Sequence, residues 1–367
     1  MAIDPGFSQL SNNLVYSAMF AYTGSMVAFS AALAFGQKGR TARVAARVPA
    51  TFEELAASSA SSTSTTAGTS AAAGSSAAGS SSSGATAVLE AERPVGNSAI
   101  ESLSSQSDLD DLAPPPRGLR SLKNESIGVS MFALATLFLF GGFAARGLAT
   151  GRVPWGNMYE FSLGVCLATS LAYLGLLTRR DVKYLGVFVA APVLLGLGLA
   201  ITVLYTEAAQ LIPALRSYWL LIHVTAAIIC AGMFAVGAAL SGLYLVQARA
   251  ERRGKTGRIT SNLPSAAALD RLSYKVHAFT FPLWTFAIVA GAIWAENAWG
   301  RYWGWDPKET WSFITWTVYA CYLHARATAG WRGAKAAGLS LLGMATLLFN
   351  FFGVNIFFVG FHSYSGL

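Results

Sequence analysis

Charge is scarce in this sequence. Asp, Glu, Lys and Arg make up 12% of its 367 residues, about half the share usual in soluble domains. Hydrophobic residues reach 54% and the mean hydropathy is +0.47. This excludes an ordinary soluble globular class and indicates an integral membrane protein. Cysteine is scarcer still: Cys166, Cys230 and Cys321 are all there are, each inside an apolar run and none in a C-x-x-C pair. A disulfide framework and a thiol-redox role are therefore not suggested, and all three read as core packing. Histidine is limited to His223, His277, His324 and His362, so any imidazole chemistry has few candidates.

What is abundant is long apolar runs. Seven uninterrupted ones lie at 14–35, 127–145, 161–177, 184–205, 219–246, 279–295 and 339–361, and an eighth at 311–328 is broken only by His324 and Arg326. Each is near the roughly 20 residues that a helix needs to cross the hydrocarbon of a bilayer. The expected fold is an all-α polytopic bundle of about eight transmembrane helices. No basic segment precedes the first run and no small-residue cleavage site follows it, so it reads as a retained N-terminal helix, residues 1–35.

Lys and Arg set the expected orientation. Of the 26, 21 fall in the connections on one side, and only Arg146, Arg152, Arg216, Arg301 and Lys308 fall on the other. Positive residues favour the cytoplasm, which puts both termini outside. The net charge of +8 is this inside bias and not a nucleic-acid footprint.

Residues 36–126 contain a Ser/Ala-rich stretch, "AASSASSTSTTAGTSAAAGSSAAGSSSSGATAVL", followed by the acidic, proline-rich "SDLDDLAPPPRG". Such composition buries too little apolar surface to offset its ordering entropy, and a disordered cytoplasmic linker is expected. Residues 127–367 form the compact seven-helix remainder.

The segment 294–311, "WAENAWGRYWGWDPKETW", holds five of the ten tryptophans: Trp294, Trp299, Trp303, Trp305 and Trp311. Topology puts it outside as a loop. Its end is well specified, because Asp306 can cap the next helix, Pro307 suits the first helical position and Glu309 completes a D-x-x-E capping box. His223, about one turn inside its span, and His362, just past the last span, fall on this same side. His324 lies about 27 Å along a helix from Asp306, near the inner leaflet, and His277 starts span six on the inner side. Glu160, at an outer span end where snorkelling is cheap, reads as unremarkable.

Two outer histidines beside a tryptophan-rich surface meet the needs of a bis-imidazole haem site: two neutral ring nitrogens, broad apolar faces, and cations for the propionates. Arg301, Lys308 and Arg216 are the cations available. The bland alternative is an interfacial aromatic belt with histidines that bond their neighbours.

The string "WAENAWGRYWGWDPKETWSFITW" resembles the WWD signature of haem-handling membrane proteins, and with "VPWGNMYEF", "PALRSYWLLIHV", "YLHAR" and "GVNIFFVGFHSYSG" it is similar to the CcsA (ResC) family of System II cytochrome c synthases. The resemblance runs over nearly all of 127–367. "FHSYS" stands where the family pattern has GLHSY, "HAFTFPLWT" where it has a GFPLLT-like string, and the long linker is extra. The resemblance implies that His223 and His362 are outer axial ligands to haem b, that the Trp segment with Asp306 holds the macrocycle, and that His324 is a transmembrane ligand on the outward route. It further implies a CcsB/ResB membrane partner, apocytochrome c as the protein substrate, an extracytoplasmic thiol reductase nearby, and a bacterial plasma membrane. The reaction would be thioether formation between CxxCH thiols and haem vinyl groups, with no nucleophile in this chain. Two other readings stay open: a CcmC-like haem-delivery protein without ligation activity, and a b-type electron-transfer cytochrome.

Overall fold

The computed structural model describes residues 3–35, 119–210, 215–255, 257 and 259–362, and every regular element among them is helical. The long helices are α1 (Pro5–Phe35), α2 (Leu119–Thr150), α3 (Met158–Arg179), α4 (Gly186–Thr202), α5 (Tyr218–Arg252), α6 (Ala266–Trp299), α7 (Pro307–Ala327) and α8 (Ala334–Leu348). After α8 the chain widens into a π-turn at Phe349–Gly353 and ends in the short α9 (Val354–Phe357). Among the described residues, seven helices are long and apolar enough to cross a membrane. The remaining one, α7, has 21 residues, about 31 Å at the usual rise, but Lys308, Glu309, His324 and Arg326 make it more polar. The protein is thus an all-helical, multi-span membrane protein.

The helices pack in successive pairs. Helices α1 and α2 form an antiparallel pair in which Ser11 Oγ donates to the Gly142 carbonyl and Ser25 Oγ to the Gly128 carbonyl, both at 2.8 Å. Tyr22 joins this pair to α3 through Ser170 Oγ at 2.7 Å. Helices α3 and α4 lie between it and the α5–α6 pair, and α7 and α8 close the far side. Hydroxyls that return to backbone carbonyls, as these do, satisfy polar groups where no water is available.

One end of the bundle gathers the parts of interest. Asp4 N–H donates to the Ala149 carbonyl at 3.0 Å, which sets the start of α1 beside the end of α2. Arg146 of α2 and Arg152 both bond Glu160 of α3, at 3.2 and 2.8 Å, and Arg146 also reaches the Thr206 carbonyl beyond α4. The end of α6, the start of α7 and the segment after α9 complete the same end, where Asp306 bonds His362.

Several expectations change. Helix α6 begins at Ala266, so His277 is about three turns inside the helix, because Tyr274, Lys275 and His277 ended the hydropathy run early. The same helix continues through Trp294 to Trp299 and stops at Gly300, which takes φ 70°. Trp294 and Trp299 therefore stand on α6, Trp303 and Trp305 on the loop, and Trp311 on α7. Residues 119–126, assigned to the linker, belong to α2, and 36–118 lie outside the described residues. Cys166 and Cys230 are buried as expected, but Cys321 is exposed on α7. Glu160 is not a snorkelling residue: it is fully buried, and its Oε2 also accepts from Gly156 N–H at 2.8 Å.

The fully buried Arg146 makes this carboxylate costly to lose, since removing one partner leaves a desolvated charge. Glu160→Gln is expected to destabilise the protein by about 3–5 kcal/mol, read as a large drop in thermal unfolding temperature in detergent. An unchanged temperature would show that water reaches the cluster.

Candidate functional site

A cavity of about 470 Å³ opens within this end of the bundle, between α3 and α4 on one side and α5, α6 and the π-turn on the other. Its wall is mostly apolar, with Phe161, Val165, Trp284, Phe351 and Phe352 among the contributors. Leu195 and Leu199 of α4 and Leu348 of α8 line it while remaining exposed, so the cavity reaches the bundle surface between these two helices. Both His223 and His362 line it, as do Trp294, Trp303, Tyr302 and Lys308.

The two histidines are held in the same way by different partners. His223 Nδ1 lies 2.7 Å from the Ala287 carbonyl of α6. A carbonyl only accepts, so Nδ1 carries the proton and Nε2 keeps its lone pair. The ring fits there because residue 291 is glycine: a Cβ at that position would sit 2.7 Å from His223 Nδ1 and Cε1. His362 Nδ1 lies 2.8 Å from Asp306 Oδ2, and a carboxylate again leaves Nε2 as the free nitrogen. Neither Nε2 is hydrogen-bonded to a described residue. Trp294 touches both: its ring is stacked at 6.2 Å on His223 and edge-on at 5.6 Å to His362.

Asp306 organises the loop. It caps α7 through Lys308 N–H at 3.3 Å, and Glu309 Oε2 returns the bond to Asp306 N–H at 3.1 Å, which completes the capping box read from sequence. Its Oδ1 accepts from Phe361 N–H at 2.7 Å. Gly360 lets the chain pass this close, because a Cβ there would collide with Asp306 Oδ1. Burial raises the Asp306 pKa, but the bonds from His362, Phe361 and Lys308 together outweigh it, so the net shift is downward from 3.8. The tether it forms is therefore complete above the ordinary carboxylate range and is lost as pH falls below 3.8 through the depressed value.

The other predicted residues divide. Trp294 is 2% exposed and Trp303 also faces the cavity. Trp299 packs edge-on against His362 at 4.9 Å, and Trp311 packs on Phe349 at 4.2 Å. Trp305 is 65% exposed with φ 57° and touches Trp303 and Phe313. Of the three cations only Lys308 reaches the cavity, where its ammonium lies 3.5 Å from the Asn350 carbonyl. Arg301 pairs with Glu309 at 3.0 Å and lies over Phe361, while Arg216 lines another cleft with Trp155 and Tyr218. His324 is exposed on α7, on the same face as Phe313, Thr317 and Cys321. His277 is fully buried, with Nε2 2.7 Å from Ser340 Oγ and rings of Phe234, Tyr319 and Tyr322 around it.

Sequence reading missed Asn350, Phe351, Tyr302 and Trp284. Asn350 Oδ1 has no hydrogen-bond partner among the described residues and sits in the cavity wall. Asparagine in an apolar terminal run, at 350 and again at 355, was the one available signal.

The cytochrome c assembly protein family matches residues 155–362, which spans α3 to the cavity histidine. The chain belongs to this family. It is 37% identical over 250 residues to the cytochrome c biogenesis protein CcsA of Chlamydomonas reinhardtii, covering 66% of this chain and 70% of that protein. The CcsA of Gloeobacter violaceus is 33% identical over 294 residues, covering 66% and 87%, and that of Guillardia theta is 34% identical over 258 residues, covering 65% and 85%. A role in cytochrome c biogenesis follows, and with it haem handling.

The glycine at 291 is a geometric requirement that can be tested directly. Gly291→Ala is expected to cost about 1–3 kcal/mol by overpacking against His223. Gly198→Ala, where a Cβ would meet nothing within 4 Å, is expected to be neutral or slightly stabilising. Thermal unfolding of the two variants in detergent makes the comparison.

Proposed function

We propose that this assembly protein carries haem b outward and presents it in the cavity, with His223 and His362 as axial ligands, for covalent attachment to apocytochrome c. The observation that supports this most is the pair of imidazoles on one apolar cavity, each with Nδ1 engaged and Nε2 free. A bis-histidine haem needs that donor set. The tryptophans fit a flat macrocycle, Lys308 fits a propionate, and the orphaned Asn350 Oδ1 fits a polar edge.

In the reaction each CxxCH thiol adds across one vinyl group. A carbon–sulfur bond forms, the vinyl double bond becomes single, and the thiol proton ends on the neighbouring carbon, so no external oxidant or reductant is consumed. This chain supplies position, not a nucleophile. Trp294 holds the rings of both ligands, and the cavity walls exclude water from the iron.

His324 faces away from the cavity, which suits a second site completed by another polypeptide, a CcsB/ResB-type subunit. The chain is then one half of a holocytochrome c synthase, active only with that partner, while an extracytoplasmic thiol reductase keeps the CxxCH cysteines reduced. The Lys and Arg bias orients the cavity end and both termini outward, with the plasma membrane as the location.

Co-expression with a CcsB-type subunit and an apocytochrome, assayed for covalent haem, tests the reading. Covalent product is expected, and a pair that binds haem without ever forming thioether would overturn the synthase role. The wall geometry sorts the tryptophans. Trp294→Ala and Trp303→Ala should each lower haem retention by about 10- to 150-fold, as about 1.5–3 kcal/mol of buried surface implies, with no rescue by imidazole. Trp305→Ala should retain wild-type haem, measured by absorption of the purified protein.

A further inference from the structure

The two candidate ligands are not equivalent, although both present Nε2. We infer that Asp306 is the positioning residue that makes His362 a ligand, and that it makes His362 the stronger donor of the pair. This rests on the bis-histidine reading of the cavity.

The partner of His223 is a neutral backbone carbonyl at 2.7 Å, whereas that of His362 is a carboxylate at 2.8 Å. An anionic acceptor on Nδ1–H raises the electron density available at Nε2 more than a neutral one does. The carboxylate is itself immobilised: Asp306 is 6% exposed, and Oδ1 is committed to Phe361 N–H at 2.7 Å. Backbone and ring of the 361–362 segment are thus fixed by one side chain. A cap alone would need neither of these two bonds.

Oδ2 serves both roles, accepting from Lys308 N–H at 3.3 Å and from His362 Nδ1–H at 2.8 Å, so the haem spectrum and not helix stability reports the positioning. In Asp306→Asn one oxygen must serve donors that two oxygens served before. If that oxygen keeps Phe361 N–H, the amide NH2 takes the place of Oδ2, the Lys308 cap bond is lost with it, and His362 Nδ1 must then accept. The ring proton moves to Nε2, and the lone pair that would bind iron is gone.

The test is spectroscopic, on the purified full chain loaded with haem. Asp306→Asn is expected to convert six-coordinate haem largely to five-coordinate and to weaken haem retention on the order of 10–100-fold, with imidazole restoring the six-coordinate spectrum. In a His362→Gly background the same substitution should add nothing. A second measurement leaves Asp306 untouched. In the ferrous five-coordinate forms, the iron–histidine stretch in resonance Raman should be higher for His223→Gly, which keeps His362, than for His362→Gly, which keeps His223. An unaltered spectrum in Asp306→Asn, or equal or reversed stretching frequencies, would overturn the inference while leaving the bis-histidine site standing. Six-coordinate haem unchanged in both single histidine variants would overturn the site itself, and the inference with it.

Discussion

Asp306 accepts hydrogen bonds from the first turn of α7, from the backbone at Phe361 and from the ring of His362. These groups lie on stretches of chain far apart in sequence, and Trp299 against His362 and Arg301 over Phe361 reinforce the same junction. Without the carboxylate, the start of α7 loses a cap, the segment after α9 loses its anchor and one wall of the cavity loses its imidazole. The glycine at 360 is the covalent condition for this contact, as the glycine at 291 is for the seat of His223. A polar knot of this kind holds in a largely apolar bundle because both carboxylate oxygens have partners.

Away from the knot, several hydroxyl groups find partners on the backbone of a neighbouring helix, as a membrane requires. Ser11, Ser25 and Ser121 all return to carbonyls of a neighbouring helix, which lets α1 and α2 pack closely without exposing polar groups. The buried charge cluster of Arg146 with Arg152 and Glu160 ties α2 to α3 and to the chain beyond α4. The cavity is bounded by large rings, among them Trp284, Trp294, Phe351 and Phe352.

Much of this was legible in the chain. Apolar run length located the helices, and the spacing of Asp306, Pro307 and Glu309 located the start of α7, because both signals are local. The histidines on the tryptophan side were legible for the same reason, since helix count alone sets the side on which a residue emerges. Glu160 was not, because its partners Arg146 and Arg152 come from the preceding helix and loop, and charge pairing across helices leaves no period. Nor was the division of the tryptophans, which depends on α6 continuing to Trp299 and turning at Gly300. The wall from α3, α4 and the π-turn was invisible because Phe351 or Leu195 in a membrane span looks like any other apolar residue. Cys321 and His324 share an exposed face of α7 that hydropathy cannot separate from a buried one.

Three-dimensional density for the haem-loaded protein tests the central claim most directly. The expected result is a macrocycle in the 470 Å³ cavity, with the iron between Nε2 of His223 and Nε2 of His362 and with Trp294 against its ligands. Haem bound elsewhere on the chain, with the cavity empty and His362 still bonded only to Asp306, would contradict it.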